Sequence, residues 1–237
     1  MSELIRSVNT PPINHAFTPS NHLSPFIILT STIETLNNPN ALVQLYESYL
    51  EPLNLTNSDD LNKATNLTHV IRECCLKTIT LNGVPKAINS LSAIRGVIPE
   101  IIKERISNQP QSRALTSENL DQFKARGEDL WESIYHPFHE KLVNILNQNH
   151  PDMGRYIIDN HYAALLAPPS PDNPIGRVET SIIAVACLRT QGGVKPQLLS
   201  HAYGLQKAGE SEFGWIASDV GVQWVIESTD KIIKWFK

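Results

Sequence analysis

Apolar residues recur at three- and four-residue spacing along most of the chain, and no segment shows the strict alternation that is typical of a strand. This pattern predicts an all-α protein. Residues 1–30 are rich in proline and small polar residues, so we expect a loose N-terminal arm whose few apolar side chains can dock on the body. The remaining residues, 31–237, are expected to form a single all-α domain.

Glycines, prolines and polar turns divide the helical part of the chain. The expected helices cover residues 31–53, 61–81, 85–105, 117–145 with a kink at Pro137, 153–166, 179–188, 196–208 and 215–236. A polar linker at 107–115 separates two half-units, about 31–106 and 116–237, and each ends in a helical pair. Glu73 and Lys77 stand four residues apart on the side of their helix away from the apolar face, which predicts an exposed ion pair.

One stretch in the C-terminal half carries the most informative pattern. After its opening polar residues, the segment 179–188 is almost wholly apolar, so at about 100° per residue its side chains cover nearly every direction of a helix and predict burial. Two glycines at 192–193 end this helix, Pro196 can begin the next one, and Gly209 can end it. His201 lies within the apolar face of the second helix, which is formed by Leu198, Ala202, Leu205 and Ala208.

These residues resemble the motif of the carboxymuconolactone decarboxylase and alkylhydroperoxidase D superfamily. The matching positions are Arg177-Val178-Glu179, the apolar run 182–188, His201 and Ala208-Gly209. The segment 76–97, LKTITLNGVPKAINSLSAIRGV, is similar to the helix, Gly-x-Pro turn and helix that close the family's repeat. The resemblance implies an alkylhydroperoxidase D-like helical fold with two pseudo-repeated units. It also implies a homo-oligomer, a dimer or higher, and a small carboxylated or lactone substrate.

Glu179 and His201 are the candidate catalytic residues. Glu179 can be a residue that the helix dipole favours at a helix N-terminus, or a buried acid with a raised pKa that moves protons near neutral pH. His201 can be a core histidine bonded to a carbonyl group, or a neutral imidazole that exchanges a proton with Glu179. The two helices are expected to pack as an antiparallel hairpin, with the pair in a pocket lined by Ile183, Ala186 and Leu205. In that geometry a water or a substrate has to span part of the gap.

The three cysteines are expected to be structural. Cys74 and Cys187 lie on apolar faces and Cys75 lies at the edge of one, and a buried thiol without a cationic neighbour is inert. The peroxidase branch of the superfamily carries Cys-x-x-Cys before the histidine, where this chain has Val194 and Gln197. A thiol peroxidase would therefore have to use Cys187 or Cys74 without the usual resolving partner.

A metal site and a cofactor are not predicted. His136 and His139 share a helix face with Glu140 beside them, but metal sites need three or four converging ligands and the sequence offers no third one. There is no Gly-rich phosphate loop, zinc spacing or Ser-His-Asp order.

The formal net charge is −4 and 19% of the residues are charged, with no basic block, so binding to nucleic acid or to a membrane surface through a charge patch is not expected. No apolar run reaches the ~18 residues that a membrane span needs. The start lacks an apolar signal-peptide core, and the last three residues, Trp-Phe-Lys, are not a peroxisomal tripeptide. These features, with only three cysteines, predict a cytoplasmic protein.

Three functional hypotheses follow. The first is decarboxylase-like chemistry in which Glu179 and His201 handle protons on a small carboxylated or lactone substrate. The second is a non-enzymatic binding or assembly protein, and the third is a thiol peroxidase that uses Cys187 or Cys74.

Trp224, Ile232 and Trp235 are expected to face inward from the last helix. The aromatic residues of the C-terminal segment exceed what such a helix normally hides within one subunit, which favours a twofold dimer. They are Trp215, Trp224, Trp235 and Phe236.

Overall fold

The computed structural model describes residues 1–237, and the chain folds entirely into helices and connecting turns, without a strand. The prediction of an all-α protein is confirmed. The elements in chain order are α1 (Ser2–Val8), α2 (Ser24–Thr35), α3 (Pro39–Leu50), α4 (Ser58–Lys77), α5 (Ile79–Asn82), α6 (Val84–Val97), α7 (Glu100–Ile106), α8 (Leu120–Tyr135), α9 (His139–Asn149), α10 (Met153–Tyr156), a π-helix (Ile157–Leu166), α11 (Arg177–Gln191), α12 (Lys195–Lys207), α13 (Glu210–Phe213), a 3₁₀-helix (Gly214–Ala217) and α14 (Asp219–Phe236).

Helix α11 lies at the centre of the main core, as its apolar sequence predicts. Residues 180–188 are all buried, and the helix packs against α2, α12 and α14. Gly192 ends α11 with a φ of 69°, a backbone conformation that glycine adopts without the steric cost of a Cβ. None of the helices combines the length and the apolar character needed to cross a bilayer.

Helix α2 is buried along its whole length, and the sequence pattern does not predict it. All twelve of its residues are buried, although the sequence SPFIILTSTIET contains many hydroxyl side chains. The predicted helix at 31–53 is therefore wrong: it is two helices, separated after Thr35. Asn37 takes a positive φ of 54° in the break, and the Asn38 side chain caps α3 by accepting a hydrogen bond from the Ala41 N–H at 3.1 Å.

The prediction of a loose N-terminal arm is corrected as well. Residues 2–8 form α1, which packs against α14 and buries Leu4 and Val8. Further along, the carbonyl oxygens of Ala16 and Thr10 accept hydrogen bonds from the indole nitrogens of Trp215 and Trp224, at 2.9 Å and 3.0 Å. The apolar side chains and these indole hydrogen bonds hold the segment on the body of the protein.

This packing also changes the argument for an oligomer. Trp215 and Trp224 are buried within one chain, where the Phe17 ring lies 5.8 Å and 5.5 Å from their ring centroids. Trp235, which was predicted to face inward, is 45% exposed. Most of the aromatic surface that favoured a dimer is therefore covered by the chain itself, and the homo-oligomer stays a prediction from the resemblance alone.

A smaller core forms between α8 and the π-helix. Gly127 of α8 allows this close approach, because a Cβ at that position would lie 2.4 Å from the Ala163 Cβ. The predicted helix 117–145 is divided at Pro137 into α8 and α9, since proline cannot donate the hydrogen bond that would continue the helix. The buried residues of this core are Leu130, Trp131, Ile134, Ile158, Tyr162, Leu166 and Ala167.

Candidate functional site

Glu179 caps the N-terminus of α11. Its Oε2 accepts a hydrogen bond from the Gly176 N–H at 3.0 Å, which is the arrangement of a capping-box acid. Burial raises the pKa of the half-buried carboxyl, while its own N–H, the Gly176 N–H and the nearby Lys77 ammonium oppose that rise. The structural interpretation of Glu179 thus accounts for its contacts.

His201 lies on α12 and is buried among aromatic residues. Its Nε2 lies 3.3 Å from the Tyr135 hydroxyl, and its Nδ1 has no hydrogen-bond partner. Burial, assisted by the positive charge of Arg177, lowers the pKa of His201 to about 4. The imidazole is therefore neutral at pH 7 and can accept a proton or a hydrogen bond.

The structure does not bring Glu179 and His201 together through a hydrogen bond or an ion pair. Arg177 donates to Ser181 Oγ at 2.6 Å and to the Gly204 carbonyl at 2.6 Å, so its side of α11 faces α12. Glu179 is two residues further along and is rotated by roughly 200° about the helix axis. The residues of the predicted pocket are fully or nearly fully buried members of the main core: Ile183, Ala186 and Leu205.

A groove of about 600 Å³ opens instead between α8, α9 and α12. Its wall is mainly apolar with a few polar groups, which is typical of sites for small molecules. The Lys207 ammonium lies in this wall, where it donates to the His136 carbonyl at 2.6 Å and the Ile134 carbonyl at 3.2 Å. The lining residues are Ile134, Tyr135, Phe138, Leu142, Ser200, Tyr203, Gln206 and Lys207.

Tyr135 connects this groove with His201. Its ring lines the groove, and its hydroxyl lies 2.8 Å from the Tyr162 hydroxyl as well as 3.3 Å from His201 Nε2. The Trp131 ring packs against both tyrosine rings, at centroid distances of 4.2 Å and 4.9 Å. Burial raises the pKa of Tyr135 and of Tyr162, so both phenols are neutral near pH 7. The site is a neutral imidazole in contact with the neutral phenol of Tyr135, which in turn contacts that of Tyr162.

Sequence reasoning missed both tyrosines. They stand in segments whose spacing predicts ordinary amphipathic helices, and 27 residues separate them along the chain. The local signal that could have directed attention to Tyr135 is its place four residues after Trp131 and two before Pro137, where α8 ends.

Lys77 corrects another prediction. The lysine was expected at the surface in a pair with Glu73, but it is fully buried, and Glu73 pairs with Arg113. Its ammonium donates to the Leu166 carbonyl at 2.5 Å, the Ile175 carbonyl at 3.2 Å and Thr180 Oγ1 at 2.9 Å. Burial lowers the pKa of Lys77 to about 8. Lys77 thereby joins α4 to the end of the π-helix and to the loop that precedes α11.

A second buried acid, Glu34 of α2, lies near the thiols. Its carboxylate accepts a hydrogen bond from Asn82 Nδ2, and the same amide group lies 3.7 Å from the Cys187 sulfur. Burial raises the pKa of Glu34 to about 7 and that of Cys187 to about 12. The pKa values of Cys74 and Cys75 are also raised by burial, and Cys75, expected at the edge of an apolar face, is fully buried. All three thiols are protonated and inaccessible at neutral pH.

The structure also places a third possible ligand beside His136 and His139, where the sequence predicts none. It is Glu132, one turn before His136, and not Glu140. One ligand atom from each of the three residues lies within 4.8 Å of the other two.

Fold and site together describe an all-α protein with an apolar groove next to a neutral imidazole–phenol network. No protein-family model matches the chain. No solved structure matches it. The chain is similar to Peroxisomal protein 2 of Saccharomyces cerevisiae, with 28% identity over 208 residues that cover 79% of this chain and 69% of that protein.

Proposed function

We propose that the chain binds a small carboxylated or lactone compound in the groove between α8, α9 and α12, and that Tyr135 and His201 transfer a proton to or from it. One observation carries this proposal: the Tyr135 hydroxyl belongs to a side chain of the groove wall and lies 3.3 Å from the buried His201 Nε2. A residue of the groove wall is thereby coupled to a base that is shielded from solvent.

The charges of the groove suit an anionic ligand. Lys207 donates two hydrogen bonds to main-chain carbonyls and keeps a third N–H for a ligand carboxylate. In a decarboxylation, the bond to the carboxyl carbon breaks, carbon dioxide leaves, and the electron pair remains as a carbanion or enolate. The Tyr135 hydroxyl can give that carbon a proton, and the phenolate that forms can accept hydrogen bonds from the Tyr162 hydroxyl and from a protonated Nε2 of the neutral His201 imidazole. The phenolate takes up a proton from water when the product leaves the groove.

A non-enzymatic binding protein is the second candidate, and the position of Glu179 favours it. The carboxyl caps α11, and no hydrogen bond links it to His201. Glu179, which matches the acid of the superfamily motif, is then a structural residue, and the groove binds its ligand without converting it. The third hypothesis, a thiol peroxidase, has less support, because burial raises the pKa of all three cysteines.

The experiment that tests the proposal is a titration of the full chain with small carboxylates and lactones, including carboxymuconolactone. We expect a member of this panel to bind with one site per chain and to be converted, with product followed by NMR spectroscopy. Binding without conversion would select the non-enzymatic candidate. The proposed ligand class is wrong if Lys207→Ala, which removes the cation of the groove, leaves the affinity for every binding member unchanged.

We also propose a peroxisomal location, which differs from the cytoplasmic location that the sequence predicts. The support is the similarity to a yeast protein named Peroxisomal protein 2. We expect the chain, with a fluorescent protein fused to its N-terminus, to coincide with a peroxisomal marker in yeast cells. The fluorescent protein alone is the control, and a diffuse signal of the fusion throughout the cytoplasm would contradict this proposal.

A further inference from the structure

Three side chains that can ligate a metal converge at the junction of α8 and α9. Glu132 Oε1 lies 3.8 Å from His136 Nδ1 and 4.0 Å from His139 Nε2, and one ligand atom from each of the three residues lies within 4.8 Å of the other two. The two imidazole rings are nearly parallel, with centroids 5.7 Å apart. Two imidazole nitrogens and one carboxylate oxygen form a ligand set that suits zinc.

The fold places these residues together through the break in the helix. Glu132 belongs to the last turn of α8, His136 is the residue that follows the helix, and His139 is the first residue of α9. Pro137 prevents α8 from continuing, so the chain turns and the histidine of α9 returns toward the acid of α8. Lys207 fixes this turn from α12, because it donates a hydrogen bond to the His136 carbonyl.

We propose that Glu132, His136 and His139 bind one Zn²⁺ ion. Zinc–ligand bonds of about 2.0–2.1 Å in a tetrahedron place the ligand atoms about 3.4 Å apart. The observed separations of 3.8 Å and 4.0 Å from the Glu132 oxygen exceed that by about half an ångström, and the histidine ligand atoms lie within 4.8 Å of each other. Rotation of the Glu132 and His136 side chains, which are both exposed, can close these gaps.

The two nitrogens of His139 differ in access. Its Nδ1 is buried without a hydrogen-bond partner, whereas Nε2 is the atom that faces Glu132. Nε2 is therefore the nitrogen that an incoming ion meets, and Nδ1 would be the N–H of the ring once Nε2 binds the ion. Three protein ligands leave the fourth position of a tetrahedral zinc ion open to water or to an exogenous oxygen ligand.

The metal ligands are neighbours, in the sequence, of residues that line the groove. The metal-site proposal does not depend on the proposed function. Tyr135 and Phe138, which line the groove, alternate with the ligands in sequence. A zinc ion here would place a Lewis acid at the edge of the groove. The site is tested by metal binding alone.

Isothermal titration of Zn²⁺ into the full chain, first treated with a chelator, is the test. We expect one ion per chain. Glu132→Gln, His136→Ala and His139→Ala are each expected to weaken the affinity by at least the ~10–100-fold that loss of an outer-shell partner costs. Circular dichroism shows that a variant is folded, and the exposed positions 132 and 136 provide two variants that leave the core intact.

The matched control is His150→Ala. His150 is an exposed histidine whose Nδ1 lies 3.8 Å from an Asp152 oxygen, so it offers the same kind of pair without a second imidazole. We expect its loss to leave zinc affinity unchanged. The proposal is overturned if the wild-type chain does not bind zinc, or if all three ligand variants bind it as tightly as the wild-type chain does. It is also overturned if His150→Ala loses as much zinc affinity as the ligand variants.

Discussion

Replacing Tyr135 with phenylalanine is expected to lower turnover of a groove ligand by about 10²–10⁴-fold, the contribution of a positioned acid or base. The ring contacts with Trp131 and Tyr162 are retained in this variant, and only the hydroxyl that lies 3.3 Å from His201 Nε2 is removed. The affinity for the ligand is expected to change much less than turnover, because the apolar wall of the groove stays intact.

His201→Gln is the partner variant, and it should lower turnover to a similar extent. If the two residues act as one unit, the double variant loses hardly more than either single variant. Tyr156→Phe is the control, because Tyr156 is an exposed tyrosine outside the groove. A Tyr135→Phe protein with turnover equal to that of Tyr156→Phe would contradict the assigned role.

The second large effect concerns the pH dependence of stability through Glu34. Burial raises the pKa of this carboxyl from 4.5 to about 7. Between these two values the folded chain holds a proton that the unfolded chain has released, so the free energy of unfolding falls as pH rises from 4.5 to about 7 and is then level. The rise in pKa from 4.5 to about 7 corresponds to about 3 kcal/mol in the free energy of unfolding. The carboxyl is fully buried and its Oε1 has no partner, which is the physical cause.

Denaturant unfolding at pH 5 and pH 8 measures this effect. Glu34→Gln keeps a side-chain oxygen that can accept the hydrogen bond from Asn82 but cannot ionise, so we expect the loss of stability between the two pH values to shrink by up to about 3 kcal/mol. Glu47→Gln, on the exposed face of α3, changes the same charge without altering a buried group. Identical pH profiles for wild type and Glu34→Gln would refute the account of this acid.

The sequence predicts the elements whose apolar residues recur in a pattern that indicates burial. Helix α11 is apolar in nearly every direction, and its central position follows from that pattern. His201, placed by spacing on an apolar face, is buried as expected. Helix α2 was not predicted because its serines and threonines are typical of a polar segment. Their small side chains nevertheless fit inside a core when other helices surround α2.

The site itself could not be predicted from local spacing, because it depends on how distant helices pack. Tyr135 and His201 are 66 residues apart in the chain and meet only where α8 packs on α12. Lys77 and Glu34 are charged in isolation, so burial is not expected until the carbonyls, amides and hydroxyls of other helices surround them. The expected pairing of Glu179 with His201 followed the resemblance. The rotation of about 200° between Arg177 and Glu179 on α11 directs the acid elsewhere.

The most direct test of the central claim is a ¹⁵N NMR measurement of the His201 imidazole with and without a small carboxylate or lactone ligand. Because burial lowers its pKa to about 4, the signal of His201 is expected to remain that of a neutral imidazole from pH 8 down to about pH 5. We expect the ligand to shift this signal in the wild-type chain but not in Tyr135→Phe, since Tyr135 is the contact between groove and imidazole. A His201 that titrates near its ordinary pKa of 6.5, or a signal that stays unchanged when the ligand saturates the chain, would contradict the account.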